Sequence, residues 1–261
     1  MIDLHCHLLN GIDDGPSNLA TSLEMARLAV ADGITITACT PHIQLGVYDN
    51  RPVDIRRHTA VLQTALDEAG IALKLVTGAD VHIRPDFVTA IREDAILTLN
   101  NSRYVLFEPP HHVAPPRMED ILFELLAAGY VPILTHPERL TWLPSSYGML
   151  ERLVRSGVWI QLTAGSLTGS FGKAPHDLAL RMLQDGLVHI LATDAHSLHR
   201  RPPKLSDAVV VAASILGADE AGRLVWARPK AVIENSTEVL ALPPPIRQRK
   251  KGLIKRYFSL P

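Results

Sequence analysis

Apolar, β-branched runs recur along the chain at about residues 2–6, 34–40, 73–80, 103–108, 130–136, 158–164 and 189–194. Their near-continuous hydrophobicity suits strands buried on both faces of a parallel sheet. Amphipathic stretches fill the intervals. Ser17 and Asn18 can cap a helix that runs to Ala31 and stops at Gly33, and Pro52 opens another that ends before Gly70. Further helices are predicted near 85–94, 117–128, 146–156, 174–185 and 204–216, with Gly129, Gly157 and Gly186 placed as stops before the next strand.

Strand followed by helix, seven times over, is an α/β pattern. It predicts a distorted, TIM-like (β/α)7 barrel. The 261-residue length is close to that of such barrels, and polar residues fall at the carboxyl ends of the strands, where barrel active sites form. An open doubly wound sheet is the alternative, although no G-x-G-x-x-G or P-loop follows a strand. Composition changes abruptly after Pro243-Pro244-Pro245, so the expected domain spans 1–242 and a basic tail spans 243–261.

Composition removes several classes of function. A net charge of −1 argues against a protein that binds nucleic acid nonspecifically. The start lacks a basic n-region followed by an apolar stretch and carries Asp3, which points to a cytoplasmic protein. The two cysteines, Cys6 and Cys39, fall in predicted buried strands, as expected in a reducing compartment. Neither begins a Cys-x5-Arg loop, because Ile12 and Leu45 stand where arginine would be.

The candidate chemistry lies at the strand ends. His5 and His7 are two residues apart, so on a strand they face one side and can close on one metal ion. Asp14, His42, Asp80, Glu108, His136, Asp194 and His196 follow, nearly all at the ends of predicted strands. Histidine with carboxylate, without clustered cysteine, suits Mn, Fe or Zn. Nine donors are too many for one ion but fit two or three sharing carboxylates, an arrangement used in phosphoester hydrolysis. Such ions would supply hydroxide near neutral pH from bound water. Arg139 and Arg201 follow the strand-end histidines, and a guanidinium fork matches two phosphate oxygens. Taken singly, Asp14 in its Gly-Ile-Asp-Asp-Gly turn could cap a turn, Asp80 and Glu108 could do the same, and Arg139 could pair with Glu138 or Glu151. His111 and His112, in the Pro-rich loop from Glu108 to Pro116, are candidates to line a substrate entrance.

His5-Cys6-His7, Thr40-Pro41-His42, Glu108, His136-Pro137-Glu138-Arg139 and Asp194-Ala195-His196 with Arg201-Pro202-Pro203 together resemble the PHP (polymerase and histidinol phosphatase) superfamily. More narrowly, the stretches 8–16 and 165–169 resemble its CpsB/CapC branch, the manganese-dependent protein tyrosine phosphatases encoded with bacterial capsule and exopolysaccharide genes. The resemblance covers residues 1 to about 240 and implies a PHP-type barrel. It implies one Mn2+ at His5, His7, Asp80 and Asp194, a second at Asp80, Glu108 and His136, and a third at Asp14, His42 and His196, with Fe, Zn or Mg as alternatives. It also implies phosphate binding by Arg139 and Arg201, and phosphotyrosine on a bacterial tyrosine autokinase of polysaccharide export as substrate. One departure stands out. The branch usually carries Glu as the bridging carboxylate, and this chain has Asp80, one methylene shorter.

Two other functions remain open at this point. Another PHP phosphoesterase, a histidinol phosphatase or a nuclease, would use the same donors, and a non-catalytic metal-binding regulatory module would keep only some of them. The segment Arg247 to Phe258 has six basic residues and no acidic one. It is either a solvated end or a peripheral contact with anionic lipid or with the kinase.

Overall fold

The predicted strands form, and two of them break. In the computed structural model, which describes residues 1–236 and Leu242, nine strand segments run β1 (Ile2–Cys6), β2 (Ile36–Cys39), β3 (His42–Ile43), β4 (Lys74–Thr77), β5 (Asp80–His82), β6 (Tyr104–Glu108), β7 (Val131–Thr135), β8 (Trp159–Thr163) and β9 (Ile190–Ala192). The break between β2 and β3 falls at Thr40-Pro41, where proline offers no N–H to a ladder, and that between β4 and β5 at Gly78-Ala79. All pairing is parallel. One sheet has the order β1-β2-β4 and the other β3-β5-β6-β7-β8-β9.

Hydrogen bonds also join the two ends of this array. Cys6 forms a parallel bridge with Ala195, the Asp194 N–H donates to the His5 carbonyl at 2.8 Å, and the His7 N–H donates to the Ala195 carbonyl at 2.9 Å. The chain past β9 is therefore fastened beside β1. The strands β1, β6 and β8 are buried along their whole length, which explains why they read as continuous apolar runs rather than alternating ones.

Helices α1 (Leu19–Ala31), α2 (Pro52–Glu68), α3 (Phe87–Arg92), α4 (Met118–Ala127), α5 (Tyr147–Ser156), α6 (Ala164–Leu167), α7 (Lys173–Gln184) and α8 (Ser206–Leu216) connect the strands and follow the last one. Asn18 caps α1 by accepting the Thr21 N–H, and Pro52 opens α2. Beyond the predicted elements, Ala218–Gly222 and Arg228–Ile233 are also helical. The second of these carries Val232 into an apolar cluster with Ile2, Leu4, Val76, Tyr104, Ile133, Trp159 and Ile190, closing the amino ends of the strands. The opposite, carboxyl end stays open for chemistry. Among the described residues no helix is long and apolar enough to cross a membrane. The expected boundary at residue 242 and the basic tail after it lie outside the described residues, apart from Leu242 itself.

Candidate metal centre

All eleven side chains singled out by sequence gather at the carboxyl ends of the strands. His5 and His7 leave β1 toward the same point, and their Nε2 atoms lie 3.2 Å apart. Each ring is fixed from behind. His5 Nδ1 donates to Gln161 Oε1 at 2.9 Å, and His7 Nδ1 donates to the Asp13 carboxylate at 2.7 Å. A carboxylate or amide oxygen can only accept, so both Nδ1 atoms carry a proton and both Nε2 atoms are turned to the cluster. His196 follows the same rule, with Nδ1 on the Asp194 carbonyl at 2.9 Å and Nε2 directed at Asp14 Oδ1, 3.2 Å away.

Asp80 opens β5 at the centre of the cluster. Its Oδ2 lies 3.4 Å from His5 Nε2, 3.5 Å from His42 Nδ1 and 3.9 Å from His136 Nε2. Both carboxylate oxygens are buried without a hydrogen-bond partner, as are His136 Nδ1, His42 Nδ1 and His196 Nε2. Buried polar atoms left unpaired cost free energy, so this concentration of lone pairs fits divalent cations held between them. Four groups of donors lie within 4.8 Å of one another: His7, Asp14, His42 and His196; His5, His7 and Asp80; His42, Asp80 and Glu108; and Glu108, His111 and His136. The grouping departs from the expected partition at four points: His7 also joins the Asp14 group, Asp194 joins none of the four, Asp80 and Glu108 meet with His42, and His111 takes the place of Asp80 beside Glu108 and His136.

Backbone geometry at the strand ends aims these groups. His136 (φ 35°) and Asp194 (φ 50°) both adopt the left-handed conformation that L-residues rarely take, and each precedes an arginine used in the same cluster, Arg139 and Arg201. The loop after β1 is equally constrained. A Cβ on Gly15 would meet the His7 carbonyl oxygen at 2.6 Å, so only glycine lets the chain pass close enough to present Asp13 and Asp14. Asp13, which the sequence did not mark, also accepts the His42 N–H at 3.2 Å. Its signal was the doubled Asp in the turn. One of them faces the cluster, and the other holds the His7 ring and the His42 backbone.

The electrostatics show a centre short of positive charge. Burial would lower the pKa of His5, but Asp80 and Asp194 outweigh it and raise it to about 9. Burial likewise opposes protonation of His42, and Glu108 and Asp80 raise it to about 10. Asp80 and Asp194 are held well below the usual carboxylate range despite burial, chiefly by His5, with Arg201 adding to the effect on Asp194. In the absence of cations, protons on imidazole stand in for them. Cation binding must then displace those protons, so affinity weakens as pH is lowered.

Arg139 and Arg201 meet on one atom. Arg139 Nη1 donates to Asp194 Oδ2 at 2.6 Å, and Arg201 Nη2 donates to the same oxygen. The alternative surface pairing of Arg139 with Glu138 or Glu151 does not occur. Glu138 is buried instead, accepting the Thr163 N–H at 2.9 Å and the Ser166 hydroxyl at 2.7 Å. The Arg139 guanidinium lies 4.5 Å from the centre of the Phe171 ring, and a small cavity of about 130 Å³ beside it is lined by Phe171, Thr168, Arg200, Arg201 and Lys204.

Residues 1–234 match the family model described as capsular polysaccharide synthesis, CpsB/CapC. The chain belongs to the CpsB/CapC family. Among curated relatives it is 34% identical to the tyrosine-protein phosphatase YwqE of Bacillus subtilis (strain 168), over 96% of this chain and 98% of the relative. It is 26% identical to the tyrosine-protein phosphatase CpsB of Streptococcus pneumoniae, over 89% of this chain and 98% of that one. A similar solved structure comes from work on YwqE from Bacillus subtilis and CpsB from Streptococcus pneumoniae, described as unique metal-dependent tyrosine phosphatases. It superposes with a TM-score of 0.89 at 33% identity, covering 95% of this chain and 100% of that one. A putative 2-pyrone-4,6-dicarboxylic acid hydrolase from Pseudomonas putida shares the fold alone, with a TM-score of 0.55 at 14% identity over 91% of this chain and 98% of that one.

Proposed function

We propose that this CpsB/CapC protein is a metal-dependent protein tyrosine phosphatase that hydrolyses phosphotyrosine on a bacterial tyrosine autokinase of polysaccharide export. The observation that carries the proposal is the meeting of nine histidine and carboxylate donors with two arginines at one strand end, in a family whose relatives are named tyrosine phosphatases. His5, His7, Asp80 and Asp194 would hold one cation, Asp80, Glu108 and His136 a second, and Asp14, His42 and His196 a third. Mixed imidazole and carboxylate donors accept Mn2+, Fe or Zn, and the reading takes Mn2+ from the family resemblance, with Fe, Zn or Mg as alternatives and two or three ions in all. Bound cations supply a deprotonated water and neutralise charge on the phosphoryl group.

The chain's own groups do the rest. Arg139 and Arg201 each spend part of the guanidinium on Asp194 and keep further N–H donors for phosphoryl oxygens, where negative charge grows in the transition state. Gln161 and Asp13 hold the His5 and His7 rings so that neither must reorient. Neither cysteine can act as nucleophile. Both are buried, and burial pushes the Cys39 thiol up to about 12 and Cys6 well above its ordinary value.

The same proposal treats the two sheets as one distorted (β/α)7 barrel, supported by the hydrogen bonds that fasten residues 194–195 to β1. It assigns the basic segment after residue 242 to contact with the kinase or with anionic lipid, supported by its charge. The test is turnover of a phosphotyrosine peptide and of histidinol phosphate by protein stripped with chelator and then given Mn2+, Zn2+ or Mg2+. Peptide turnover that vanishes on stripping and returns with Mn2+ is expected. Activity retained without metal, or turnover confined to histidinol phosphate, would overturn it.

A further inference from the structure

The second cation position is poorly furnished. The sequence offers it Asp80, Glu108 and His136, yet Asp80 is one methylene short of the usual glutamate, and its nearer oxygen stays 3.9 Å from His136 Nε2 while lying 3.4 Å from His5 Nε2. The shorter carboxylate is drawn toward the β1 side of the centre. What is left on the other side is Glu108 Oε1, with two imidazoles around it.

Those two imidazoles are placed alike. His136 Nε2 and His111 Nε2 each lie 3.7 Å from Glu108 Oε1, and the two rings have centroids 5.1 Å apart. The 3.7 Å between each Nε2 and Glu108 Oε1 is too long for a hydrogen bond. It is within a few tenths of an ångström of the roughly 3.0 to 3.4 Å that separates two donors on one cation at about 2.1 Å. His111 Nε2 is buried and has no hydrogen-bond partner, although the ring as a whole is 30% exposed. The nitrogen is therefore turned inward, toward Glu108, while the ring edge faces solvent.

The loop that carries His111 is fastened from the other side. The Thr141 N–H and hydroxyl donate to the His111 carbonyl at 2.9 and 3.2 Å, and the Trp142 indole N–H donates to the Pro110 carbonyl at 2.9 Å. Pro109 and Pro110 restrict the approach from β6. Two prolines and three hydrogen bonds to the segment after β7 hold the His111 backbone at a fixed distance from Glu108. The neighbouring His112 is exposed, and its contact is the Thr141 hydroxyl at 3.5 Å.

We infer that His111 is a further ligand of the cation held by Glu108 and His136, compensating for the short reach of Asp80. The inference rests on the proposed cation centre and goes beyond its nine donors. It makes the second position richer in nitrogen than a site of two carboxylates and one imidazole. Such a position selects Zn2+, Fe2+ or Co2+ over Mg2+ and Mn2+ more strongly, because imidazole is the softer donor.

The experiment is cation binding by the full chain, stripped and then titrated with Mn2+, Zn2+ or Co2+, read as ions per chain after gel filtration and as affinity by chelator competition. Wild type is compared with His111→Ala, His111→Gln and, as a control, His112→Ala. In both His111 variants we expect one cation fewer per chain, or one bound about tenfold or more weakly, with the loss larger for Zn2+ than for Mn2+. His112→Ala should match wild type. Melting of the metal-free variants should be within about 1 °C of wild type, which separates lost coordination from lost folding. Wild-type stoichiometry and affinity in both His111 variants would overturn this inference and leave the phosphatase proposal standing. A wild-type chain that takes up no cation would overturn both.

Discussion

His5 and His189 are both buried imidazoles, one near the end of β1 and the other just before the first residue of β9. His189 is tied into the fold through its Nδ1, its ring face and its backbone. Its Nδ1 accepts the Ile160 N–H at 3.0 Å, its ring stacks on Trp159 with centroids 5.0 Å apart, and its carbonyl accepts from Arg228, whose guanidinium pairs with Glu220 at 2.7 Å. His5 has the opposite surroundings: a satisfied Nδ1, but an Nε2 that faces His7, Asp80 and Asp194 at 3.2 to 3.4 Å with lone pairs on every side. Burial is nearly the same, and pairing differs. A buried polar group that closes its own hydrogen bonds is holding the fold, whereas one whose neighbours all compete for the same missing charge is waiting for a ligand. The strands thus have a structural amino end and a reactive carboxyl end.

The strongest way to break this contrast is at Asp80. Asp80→Ala should lower phosphotyrosine turnover by more than about 100-fold and reduce bound metal, because the carboxylate faces three imidazoles at once. Asp80→Asn keeps the shape and should fail in the same way. Phosphopeptide assays with metal analysis on both variants check it, and stoichiometric metal with normal turnover in Asp80→Ala would exclude Asp80 as the bridge.

At the amino end the expected effect reverses: stability moves and chemistry does not. Burial pushes the His189 pKa down to about 3, with the Arg228 charge adding to the effect. A histidine whose folded pKa lies below its unfolded value of about 6.5 binds its proton more readily in the unfolded chain, so the fold loses stability as pH drops from 6.5 toward 3. The slope for this one group is about 1.4 kcal/mol for each pH unit inside that window. His189→Gln offers an acceptor that does not titrate, so its unfolding free energy should fall less steeply on acidification than that of wild type. Turnover at neutral pH should be unchanged. Denaturant melts between pH 4 and 7 compare the two proteins, and parallel slopes would show that His189 is not the acid-sensitive group.

How much of this was visible in the residue order follows from the same contrast. The strand ends were legible because His5, His7, His42, Glu108, His136 and Asp194 interrupt apolar runs at the points where barrel-like folds place chemistry. The expected helices over residues 52–69, 117–128 and 146–156 match α2, α4 and α5 to within two residues, since apolar period and capping residues agree there. The supporting shell was harder to see. Gln161 was hidden inside an apolar strand, and Asp13 could not be told from Asp14, because which of two adjacent carboxylates faces inward depends on the Gly15 approach to His7. His111 was read only as a candidate to line the substrate entrance, since its position beside Glu108 depends on Thr141 and Trp142, some thirty residues away. The helices Ala218–Gly222 and Arg228–Ile233 were missed. Each is too short to show a period, and the second carries Pro229.

The smallest effect tests how the reactive end is stiffened. Arg139 is held by Asp194 on one side and lies over the Phe171 ring on the other, at 4.5 Å from its centre. Phe171 itself sits where a Cβ on Gly165 would be, 2.8 Å from its Cε2, so glycine at that position makes room for the ring. A half-exposed contact between a guanidinium and an aromatic face contributes about 0.5 to 1 kcal/mol, so Phe171→Ala should lower kcat/KM by roughly two- to fivefold. Gly165→Ala would displace the ring and should act in the same direction. Neither change touches a metal donor, so cation content should equal that of wild type, unlike the Asp80 variants. Because the ring orients Arg139 rather than meeting the phosphate, Phe171→Leu should recover little and Phe171→Tyr most of the loss. An undiminished kcat/KM in Phe171→Ala would mean that Asp194 alone fixes Arg139, and that the aromatic face adds nothing to the reactive end.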